Sequence, residues 1–453
     1  MKRQIAVVLF SFLLACTSYA STLPARISNL LQRVPEANVG ILVENADTGH
    51  ILYSHNADHY FTPASNTKLF TAAAALLYLG PDFSYDTTIG TQQGNVYVVF
   101  SGDPTLTTAN LRDLIHALKN SGVHHITGNV VLDTSAFSGP NYPLGWVVDD
   151  LPYCYAAPIT SVILDQNCHA IKILHHLGGS PHTVPSSSAM FPINVSQLHF
   201  ADRTQLKTCV FEPKMGQDNS VTLKGCLPNQ AEIGFQFAIT NPTLYATDVI
   251  QNALRAEGIS LAGHIIVGNA PKHFHVIAEH HSATLLPILQ TMLKYSDNVY
   301  AGALTKTLGE HYYGVGTHKA GVSAINAILQ ANLGRSFTPP YLEDGAGGST
   351  YNLISPQEIA MLLQYFYHSK LRYSFRDALA ISGQGGTLAY RLTTAPWKNH
   401  VYGKTGSMSG VSALSGYLWL PHRSPIIFSI MMNGIVGSLN PARRVQDQIV
   451  ETL

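Results

Sequence analysis

A serine and a lysine three residues apart are the first candidates for chemistry in this sequence. They are Ser65 and Lys68, within FTPASNTKLFTAAAALLYLG at residues 61 to 80. The apolar run and the glycine-proline pair that ends it predict a helix from Ser65 to about Leu79, with both side chains on one face. A serine hydroxyl becomes a nucleophile when a base takes its proton, and a lysine whose pKa is lowered by burial can be that base. The alternative is a helix cap followed by a lysine that reaches solvent.

Two more short motifs follow in the chain. They are Ser296-Asp297-Asn298, just after a second helical pattern, and Lys404-Thr405-Gly406, on a predicted strand. The order Ser-x-x-Lys, Ser-x-Asn, Lys-Thr-Gly is the motif set of penicillin-binding proteins and serine β-lactamases. Each motif is common by chance, so the specific signal is their joint occurrence, in order, on a helix, a helix end and a strand.

The strands and helices that position these motifs are also predicted from pattern. Residues 38 to 46 and 50 to 55 predict a hairpin, and the chain ends in three predicted antiparallel strands, HVYGKTGSM, VSALSGYLWL and SPIIFSIMMNG. Helices are predicted at residues 282 to 295, 318 to 332 and 355 to 368. If the hairpin and the final strands share one sheet, the middle of the chain is an insertion into a discontinuous domain.

The chain resembles the low-molecular-mass class C penicillin-binding proteins, the D-alanyl-D-alanine carboxypeptidase/endopeptidases of the penicillin-binding protein 4 type. The resemblance spans about residues 40 to 435 and is carried by PASNTK, LGPDFSYDTT, SGDPTL, GWVVDDLPYCYAAP, DQNC, KGCLPNQ, KYSDNVYA, DGAGG and GKTGSMSG. It implies an α+β fold: a β-lactamase/transpeptidase-like discontinuous domain, with an antiparallel sheet flanked by helices and a large inserted region of one or two smaller domains. It implies no cofactor and no metal.

The resemblance also implies a role for each catalytic motif residue. Ser65 would attack the carbonyl between two D-alanines and form an acyl-enzyme, and Lys68 would accept its proton. Ser296 would relay a proton to the leaving amine. Asn298 would hydrogen-bond the acyl-side amide of the substrate, and Lys404 would tune the electrostatics of the site.

Further residues are implied to bind the substrate. Thr405 would bind the terminal carboxylate, and Gly406 would let the strand backbone approach the ligand. The N–H groups of Ser65 and Ser407 would form the oxyanion hole. Asp150, in GWVVDD, would bind the amino group of a diaminopimelate side chain. The alternative for Asp150 and its neighbour Asp149 is a loop carboxylate that caps or is solvated.

Two positions depart from the family pattern. The family's DGSG-Leu-Ser segment appears here as DGAGGS, at residues 344 to 349. Near relatives often have a glutamine two residues after the serine of KTGS, and this chain has Ser409 there. Because serine is shorter, recognition of the substrate side chain is expected to be looser than in those relatives.

The N-terminus predicts export. Residues 1 to 20 combine two early cations, an apolar run too short to span a bilayer, and small residues before a cleavage site, which is typical of a secretory signal peptide. An alternative reading is a lipobox that ends at Cys16, which would then be lipidated. No later apolar run is long enough for a transmembrane helix. The predicted location is the periplasm.

Four cysteines remain in the mature chain, and in an exported protein an even number predicts disulfides. Four cysteines allow three connectivities. The cysteine neighbourhoods resemble those of the family, which favours the sequence-local pairs Cys154–Cys168 and Cys209–Cys226.

The predicted domain organisation follows from these observations. A chain of 453 residues suggests two or three domains. We predict a catalytic domain from residues 21–83 and 270–453 and an inserted region at 84–269. The inserted region is predicted to contain an α/β unit at about 95–140 and a disulfide-bearing, β-rich part at about 145–268.

Composition and the remaining motifs narrow the function. With 27 basic and 27 acidic residues and no long basic run, a nucleic-acid partner is not indicated. The segment HFHVIAEHH does not have the spacing of a metal motif, and SGQGGTL lacks the end of a phosphate-binding loop, so it is interpreted as a turn near the active site. The predicted partners are peptidoglycan stem peptides and crosslinks, and β-lactam inhibitors. The alternative functions are a β-lactamase or esterase on the same scaffold, or a non-catalytic penicillin-binding sensor.

Overall fold

The computed structural model describes residues 22–175, 181–184 and 190–453. The predicted signal peptide at residues 1–20 and the alternative lipidation site at Cys16 lie outside the described residues. Within them, none of the helices combines the length and the apolar character needed to cross a membrane. The described helices are α1 (Leu23–Leu31), α2 (Lys68–Tyr78), α3 (Thr108–Asn120), α4 (Pro242–Ala256), α5 (Leu285–Lys294), α6 (Asn298–Tyr313), α7 (His318–Leu333), α8 (Pro356–His368), α9 (Arg372–Asp377) and α10 (Asn440–Glu451).

The strands fall into one large sheet and several smaller ones. In chain order they are β1 (Asn38–Asn45), β2 (Ile51–His55), β3 (Asp86–Gln92), β4 (Asn95–Val99), β5 (His125–Ile126), β6 (Val130–Asp133), β7 (Cys168–Leu174), β8 (His182–Val184), β9 (Ile193–Ala201), β10 (Glu212–Met215), β11 (Val221–Pro228), β12 (Glu232–Ala238), β13 (Ser260–Leu261), β14 (Ile265–Val267), β15 (His275–His281), β16 (Ala380–Ile381), β17 (Val401–Met408), β18 (Val411–Leu418) and β19 (Ile426–Asn433).

The large sheet joins the two ends of the chain. Its strand order is β16-β17-β18-β19-β1-β2, and every neighbouring pair is antiparallel. In the central register, Leu42 of β1 lies opposite Ser429 of β19. The prediction that the N-terminal hairpin and the final strands share one sheet is therefore confirmed. The fold is α+β with a discontinuous, antiparallel-sheet domain, as the sequence predicts.

Helices cover both faces of this sheet, which explains why β1 is almost continuously apolar. Leu42 faces a core that contains residues of α2, α5, α7 and α8. Ile41 and Val43, which point the other way, lie in a second core with residues of α1 and α10. The helix that carries Lys68 is therefore fixed on one face of the sheet whose strand β17 carries Lys404.

The chain between β2 and α5 contains the smaller sheets. One five-stranded sheet has the order β14-β6-β4-β3-β15, and its core includes residues of α3 and α4. Two three-stranded sheets, β12-β7-β8 and β10-β11-β9, share another core. Strand β4, helix α3 and strand β6 lie within the α/β unit predicted at about 95–140. The exact domain boundaries stay a prediction.

Three of the longer helices, α4, α6 and α10, were not predicted from the sequence, and α10 follows the three strands with which the chain was predicted to end. Helix α4 lies within the segment predicted as strand-rich, and the side chain of Asn241 caps it by accepting a hydrogen bond from Leu244 N. Helix α6 begins at Asn298 and is buried on all sides from Val299 to Gly309. A helix without an exposed face has no apolar stripe, so the 3.6-residue period that identifies surface helices is absent.

The structure contains both sequence-local disulfides, Cys154–Cys168 and Cys209–Cys226, which span 14 and 17 residues. The second closes the loop that leads into β10 and β11, next to a small core. Loops of this length constrain the unfolded chain by about 3 kcal/mol. The double variant Cys209→Ala/Cys226→Ala is therefore expected to melt at a lower temperature.

The active-site network of the variant should stay intact, because Ser65, Lys68 and Lys404 come from other segments. Calorimetric melting and peptide hydrolysis at 25 °C test this expectation, with thiol titration as a control that Cys154–Cys168 remains oxidised. An unchanged melting curve, or a loss of hydrolysis as large as the loss of stability, would contradict it.

Candidate active site

Ser65 lies in a short 3-10 turn, Ala64–Thr67, that leads directly into α2. Ala64 has φ of 46°, a left-handed conformation that costs a residue with a side chain on the order of 1 kcal/mol. Glycines in other segments allow those segments to pack closely against this turn. A Cβ on Gly347 would lie 2.0 Å from Ala64 O, so the loop that contains Gly347 packs directly on the backbone before Ser65.

Gly406 also packs against this turn. A Cβ at Gly406 would lie 2.5 Å from Pro63 O and 3.3 Å from the Ala64 Cβ. That Gly406 lets the strand backbone approach a ligand, as the resemblance implies, stays a prediction. The structure gives another reason for glycine at this position, since the missing side chain lets β17 lie against the backbone that presents Ser65.

Lys68 is the centre of the hydrogen-bond network. Its side chain is fully buried, and Nζ donates to Ser65 Oγ at 2.9 Å, to Asn298 Oδ1 at 2.5 Å and to Ala346 O at 2.5 Å. Three acceptors use all three hydrogens of an ammonium group. When the amine is neutral, one of these contacts becomes an acceptor site for the proton of Ser65.

Burial lowers the pKa of Lys68 to about 8, while the carboxylates of Asp344 and Asp297 act in the opposite direction. Burial raises the pKa of Asp297, while hydrogen bonds from backbone N–H groups and the charge of Lys68 act to lower it. A lysine with an ordinary pKa would be almost entirely protonated at neutral pH. The lowered value gives a useful fraction of neutral amine, which a general base requires.

The pH dependence of acylation follows from this pKa. Only neutral Lys68 accepts a proton, so the acylation rate by benzylpenicillin should rise almost tenfold per pH unit below about 8 and level off above it. Stopped-flow acylation between pH 5 and 10 measures the profile. A rate that is independent of pH from 5 to 8, or that falls as the pH rises, would contradict a lysine base.

Ser296 and Lys404 form a second pair across the cleft. Ser296 lies between α5 and α6 with φ of 63°, and Asp297 caps α6 by accepting from Tyr300 N. Lys404 is fully buried, and its Nζ donates to Ser296 Oγ at 2.8 Å and to Thr405 O at 2.8 Å. Burial, assisted by the nearby charge of Lys68, lowers the pKa of Lys404 well below its usual range.

Asn298 connects this network to the inserted part of the chain. Its Oδ1 accepts from Lys68 Nζ, and its Nδ2 donates to Tyr155 O at 2.7 Å. The amide orientation is therefore set from both sides, and one Nδ2 hydrogen is left for a ligand. The sequence analysis did not identify Tyr155, because a backbone carbonyl acts here and its position depends on the fold rather than on a side-chain type.

Asp150 lies in a short 3-10 turn, Val148–Asp150, and its Oδ1 accepts from Tyr155 Oη at 2.7 Å. The aromatic ring of Tyr155 stacks on that of Tyr153 with centroids 5.7 Å apart. Tyr155 thus connects Asp150, through its hydroxyl group, to Asn298, through its backbone carbonyl. Its neighbour Asp149 is exposed. A role of Asp150 in binding a substrate amine stays a prediction.

The DGAGGS loop is held by Asp344. Its buried carboxylate accepts from Gly347 N at 2.7 Å, from Gly348 N at 3.0 Å and from Trp146 Nε1 at 2.5 Å. This arrangement directs Ala346 O at Lys68. Because a backbone carbonyl makes that contact, the departure from the family residue at position 346 leaves it unchanged.

Strand β17 has an open edge beside Ser65. Its neighbour β16 pairs only with Tyr402 and Gly403, so the strand beyond them has β18 on one side and the cleft on the other. The cleft has a volume of about 590 Å³, and its lining includes Ser65, Ser296, Thr405 and Ser407. An extended peptide can pair with such an edge through its backbone. The assignment of Ser65 N and Ser407 N to an oxyanion hole stays a prediction.

The structure adds lining residues that the motifs do not contain. Thr387 lies in the SGQGGTL segment, which forms a turn at the cleft as predicted. The other added lining residues come from the chain near residue 391 and from the first turns of α10: Arg391, Asn440, Arg443, Arg444 and Asp447. The adjacent arginines at 443 and 444 are visible in the sequence, but nothing local indicates that α10 begins beside the cleft. Ser409 is exposed in the turn after β17.

Other parts of the described structure lack this chemistry. A larger, mostly apolar cavity of about 1080 Å³ lies between β2 and α8, and its lining includes none of the motif residues. Across the described ranges, no three His, Cys, Asp or Glu side chains come together as a metal site would need. The arrangement at Ser65 therefore has what acyl transfer requires: a hydroxyl, a lysine of lowered pKa and a second serine–lysine pair that can move a proton.

Comparisons with known proteins find similarity over nearly the whole of the chain. The sequence profile of the D-Ala-D-Ala carboxypeptidase 3 (S13) family matches residues 23–453. The chain is 32% identical over 446 residues to D-alanyl-D-alanine carboxypeptidase DacB of Haemophilus influenzae, covering 95% of this chain and 93% of that protein. The crystal structure of penicillin binding protein 4 (dacB) from the same organism has a TM-score of 0.85 at 30% identity, over 94% of this chain and 98% of the other. The complex of that protein with a β-lactam has a TM-score of 0.81 at 29% identity, over the same shares.

Proposed function

Because the chain belongs to the D-Ala-D-Ala carboxypeptidase 3 (S13) family, we propose that it is an exported serine D,D-peptidase acting through an acyl-enzyme on Ser65. The proposed substrates are peptidoglycan peptides: stem peptides that end in D-alanyl-D-alanine, and crosslinks with the same type of bond. The observation that carries the proposal is the buried network in which Lys68 Nζ contacts Ser65 Oγ, while Lys404 Nζ contacts Ser296 Oγ.

The proposed acylation proceeds by proton transfers between these atoms. Neutral Lys68 takes the proton of Ser65, whose Oγ attacks the carbonyl carbon of the penultimate D-alanine. Backbone N–H groups stabilise the oxyanion that forms, and the buried amine of Lys404 tunes the electrostatics beside it. The proton that Lys68 took from Ser65 then passes through Ser296 to the leaving amine, the C–N bond breaks, and an ester to Ser65 remains with Lys68 neutral again.

Deacylation returns the enzyme to its starting state. Water gives a proton to neutral Lys68 and attacks the ester carbon. Lys68 then gives this proton to Ser65 Oγ as the ester C–O bond breaks, which releases the peptide acid and restores the hydroxyl of Ser65. Throughout the cycle Asn298 holds Lys68 through Oδ1, and its free Nδ2 hydrogen donates to the acyl-side amide. Asp150 is proposed to contact an amine on the peptide side chain.

Two further properties belong to the proposal. The β-lactam complex of the Haemophilus relative supports covalent binding of penicillin by this chain, with Ser65 as the acylated residue. The two disulfides support an oxidising compartment, and so the periplasm.

Product analysis tests the proposal. The purified mature protein is incubated with a monomeric muropeptide that ends in D-alanyl-D-alanine, and separately with a D,D-crosslinked dimer. We expect release of D-alanine from the first and of monomers from the second. Stable acylation by penicillin without either product would favour the non-catalytic sensor, and rapid consumption of penicillin without either product would favour a β-lactamase.

A further inference from the structure

Helix α10 brings positive charge to the cleft beside β17. Three arginines line the cleft, Arg391, Arg443 and Arg444, and one acidic residue, Asp447, lines it with them. The family motifs account for none of these four side chains. The hydrogen bonds that these side chains already make within the protein show which of them is available to a ligand.

Arg391 is occupied by the protein itself. Its Nη2 donates to Asp447 Oδ1 at 2.7 Å and its Nε to the same carboxylate oxygen at 3.0 Å. Nη2 also lies 3.1 Å from Gln446 Oε1 and 3.2 Å from Arg443 O. These bonds neutralise Asp447 and fix the first turns of α10 in place. Arg391 therefore positions α10 and has little capacity left for a substrate.

Arg443 is in a different state. Its side chain is half-buried, and Nη2 donates to Ser407 Oγ at 3.1 Å. In the described part of the chain, no carboxylate lies within 4.0 Å of its guanidinium. That group has five N–H donors in a rigid plane, and the bond to Ser407 uses one. A cation held beside β17 with most of its donors unused is suited to an anion in the cleft.

The proposed reaction supplies such an anion. In a D-alanyl-D-alanine peptide, the residue after the scissile amide bond ends in a free carboxylate. In a crosslink to diaminopimelate, the carbon that bears the bonded amine also bears a carboxylate. Both substrates thus carry a negative charge at the same distance from the bond that Ser65 attacks, on the leaving-group side.

We propose that Arg443, together with the hydroxyls of Thr405 and Ser407, binds the carboxylate next to the scissile bond and so selects peptides whose leaving group is an anion. Thr405 and Ser407 provide hydrogen bonds without charge. Arg443 provides the charge, and its planar fork matches a carboxylate. This inference rests on the proposed function and names the part of the substrate that its cleft recognises.

A pair of substrates isolates this contact. One is a lysyl-D-alanyl-D-alanine peptide acetylated on its amines, and the other is the same peptide with a C-terminal carboxamide. In Arg443→Gln, kcat/KM for the acid should fall about 30-fold, mainly through KM, because a charge-assisted pair is lost at a half-buried site. The amide should change by no more than about threefold, since it never formed that pair. Arg443→Lys keeps the positive charge but loses the planar fork of donors. Its kcat/KM for the acid should therefore lie between the values of the parent and of Arg443→Gln.

The matched control is Arg444→Gln. It removes the same charge from the adjacent residue, which is exposed, and should reduce the acid reaction by no more than about threefold. An equal loss on acid and amide in Arg443→Gln would show that Arg443 only supports the fold of β17, and would overturn the inference. Equal losses of kcat/KM for the acid in Arg443→Gln and Arg444→Gln would show a general electrostatic effect of positive charge near the cleft. That result would also overturn a specific binding site at Arg443.

Acylation by penicillin tests the role of Arg443 by a measurement that does not require peptide hydrolysis. Benzylpenicillin carries a carboxylate, and its methyl ester does not. The acid-to-ester ratio of acylation rates should be high in the parent protein and should collapse in Arg443→Gln. If the parent is acylated but cleaves no peptide, the proposed function fails while this ratio still decides the role of Arg443. A ratio that is unchanged by the substitution would overturn the inference.

Discussion

Ser65→Ala is expected to lower hydrolysis of a D-alanyl-D-alanine peptide by roughly 10⁴-fold or more, since loss of a nucleophile removes the covalent pathway altogether. Folding should be little affected. Ser65 is only partly buried, and the turn that holds it depends on Gly347 and Gly406 rather than on its hydroxyl. The melting temperature should therefore stay within a few degrees of the parent value.

Binding measurements separate chemistry from affinity in this variant. The cleft beside β17 keeps its shape, so equilibrium binding of the peptide should change by no more than a few-fold. Substantial hydrolysis by Ser65→Ala, measured by release of D-alanine, would identify another nucleophile. The assignment of Ser65 would then be wrong even though the family assignment stood.

Lys68→Met is expected to lower the acylation rate by benzylpenicillin about 10⁴-fold, the upper range for loss of a general base. Lys68 is the only lysine bonded to Ser65 Oγ in the described structure, and its lowered pKa suits it to accept a proton at neutral pH. Methionine has a similar length and tolerates burial, so the main change is the loss of the amine. Stopped-flow acylation at several pH values would also show loss of the ascending limb near pH 8.

Lys306→Met is the matched control. Lys306 is also a buried lysine, its pKa is lowered to about 8 by burial, and its Nζ donates to three carbonyls, including Ile159 O at 2.9 Å. It lies on α6 away from Ser65 Oγ. Its replacement should destabilise the protein but leave acylation per folded molecule within about threefold. Equal losses in acylation for both lysine variants would point to general disruption rather than to a base at residue 68.

Much of the sheet was predictable from the sequence because β1, β18 and β19 are long strands buried on both faces. The hairpin and the final three strands appear within one or two residues of their predicted bounds. Helix α6 was not predictable by periodicity, because it is buried on all sides. Helix α4 carries a regular apolar spacing, but it lies in a segment whose glycines and prolines favoured a strand-rich assignment.

The residues of the candidate site also divide into those that the sequence identifies and those that only the structure reveals. Ser65, Lys68, Ser296, Asn298 and Lys404 were identifiable by motif order. The structure brings them to one cleft in two hydrogen-bonded groups, Lys68 with Ser65 and Asn298, and Lys404 with Ser296. The carbonyls of Tyr155 and Ala346 were not identifiable, since a backbone atom leaves no residue-type signal. Nor was Arg443, which reaches the cleft only because α10, at the far end of the chain, packs against β18 and β19.

The most direct test of the account is the mass of the protein after incubation with benzylpenicillin, followed by peptide mapping. We predict one added penicilloyl group, located on the peptide that contains Ser65 and absent from Ser65→Ala. The bond should form faster as the pH rises toward about 8, in line with the pKa of Lys68. An adduct on another residue, or an unmodified protein with penicillin still intact in solution, would contradict the central claim that Ser65 is an activated nucleophile.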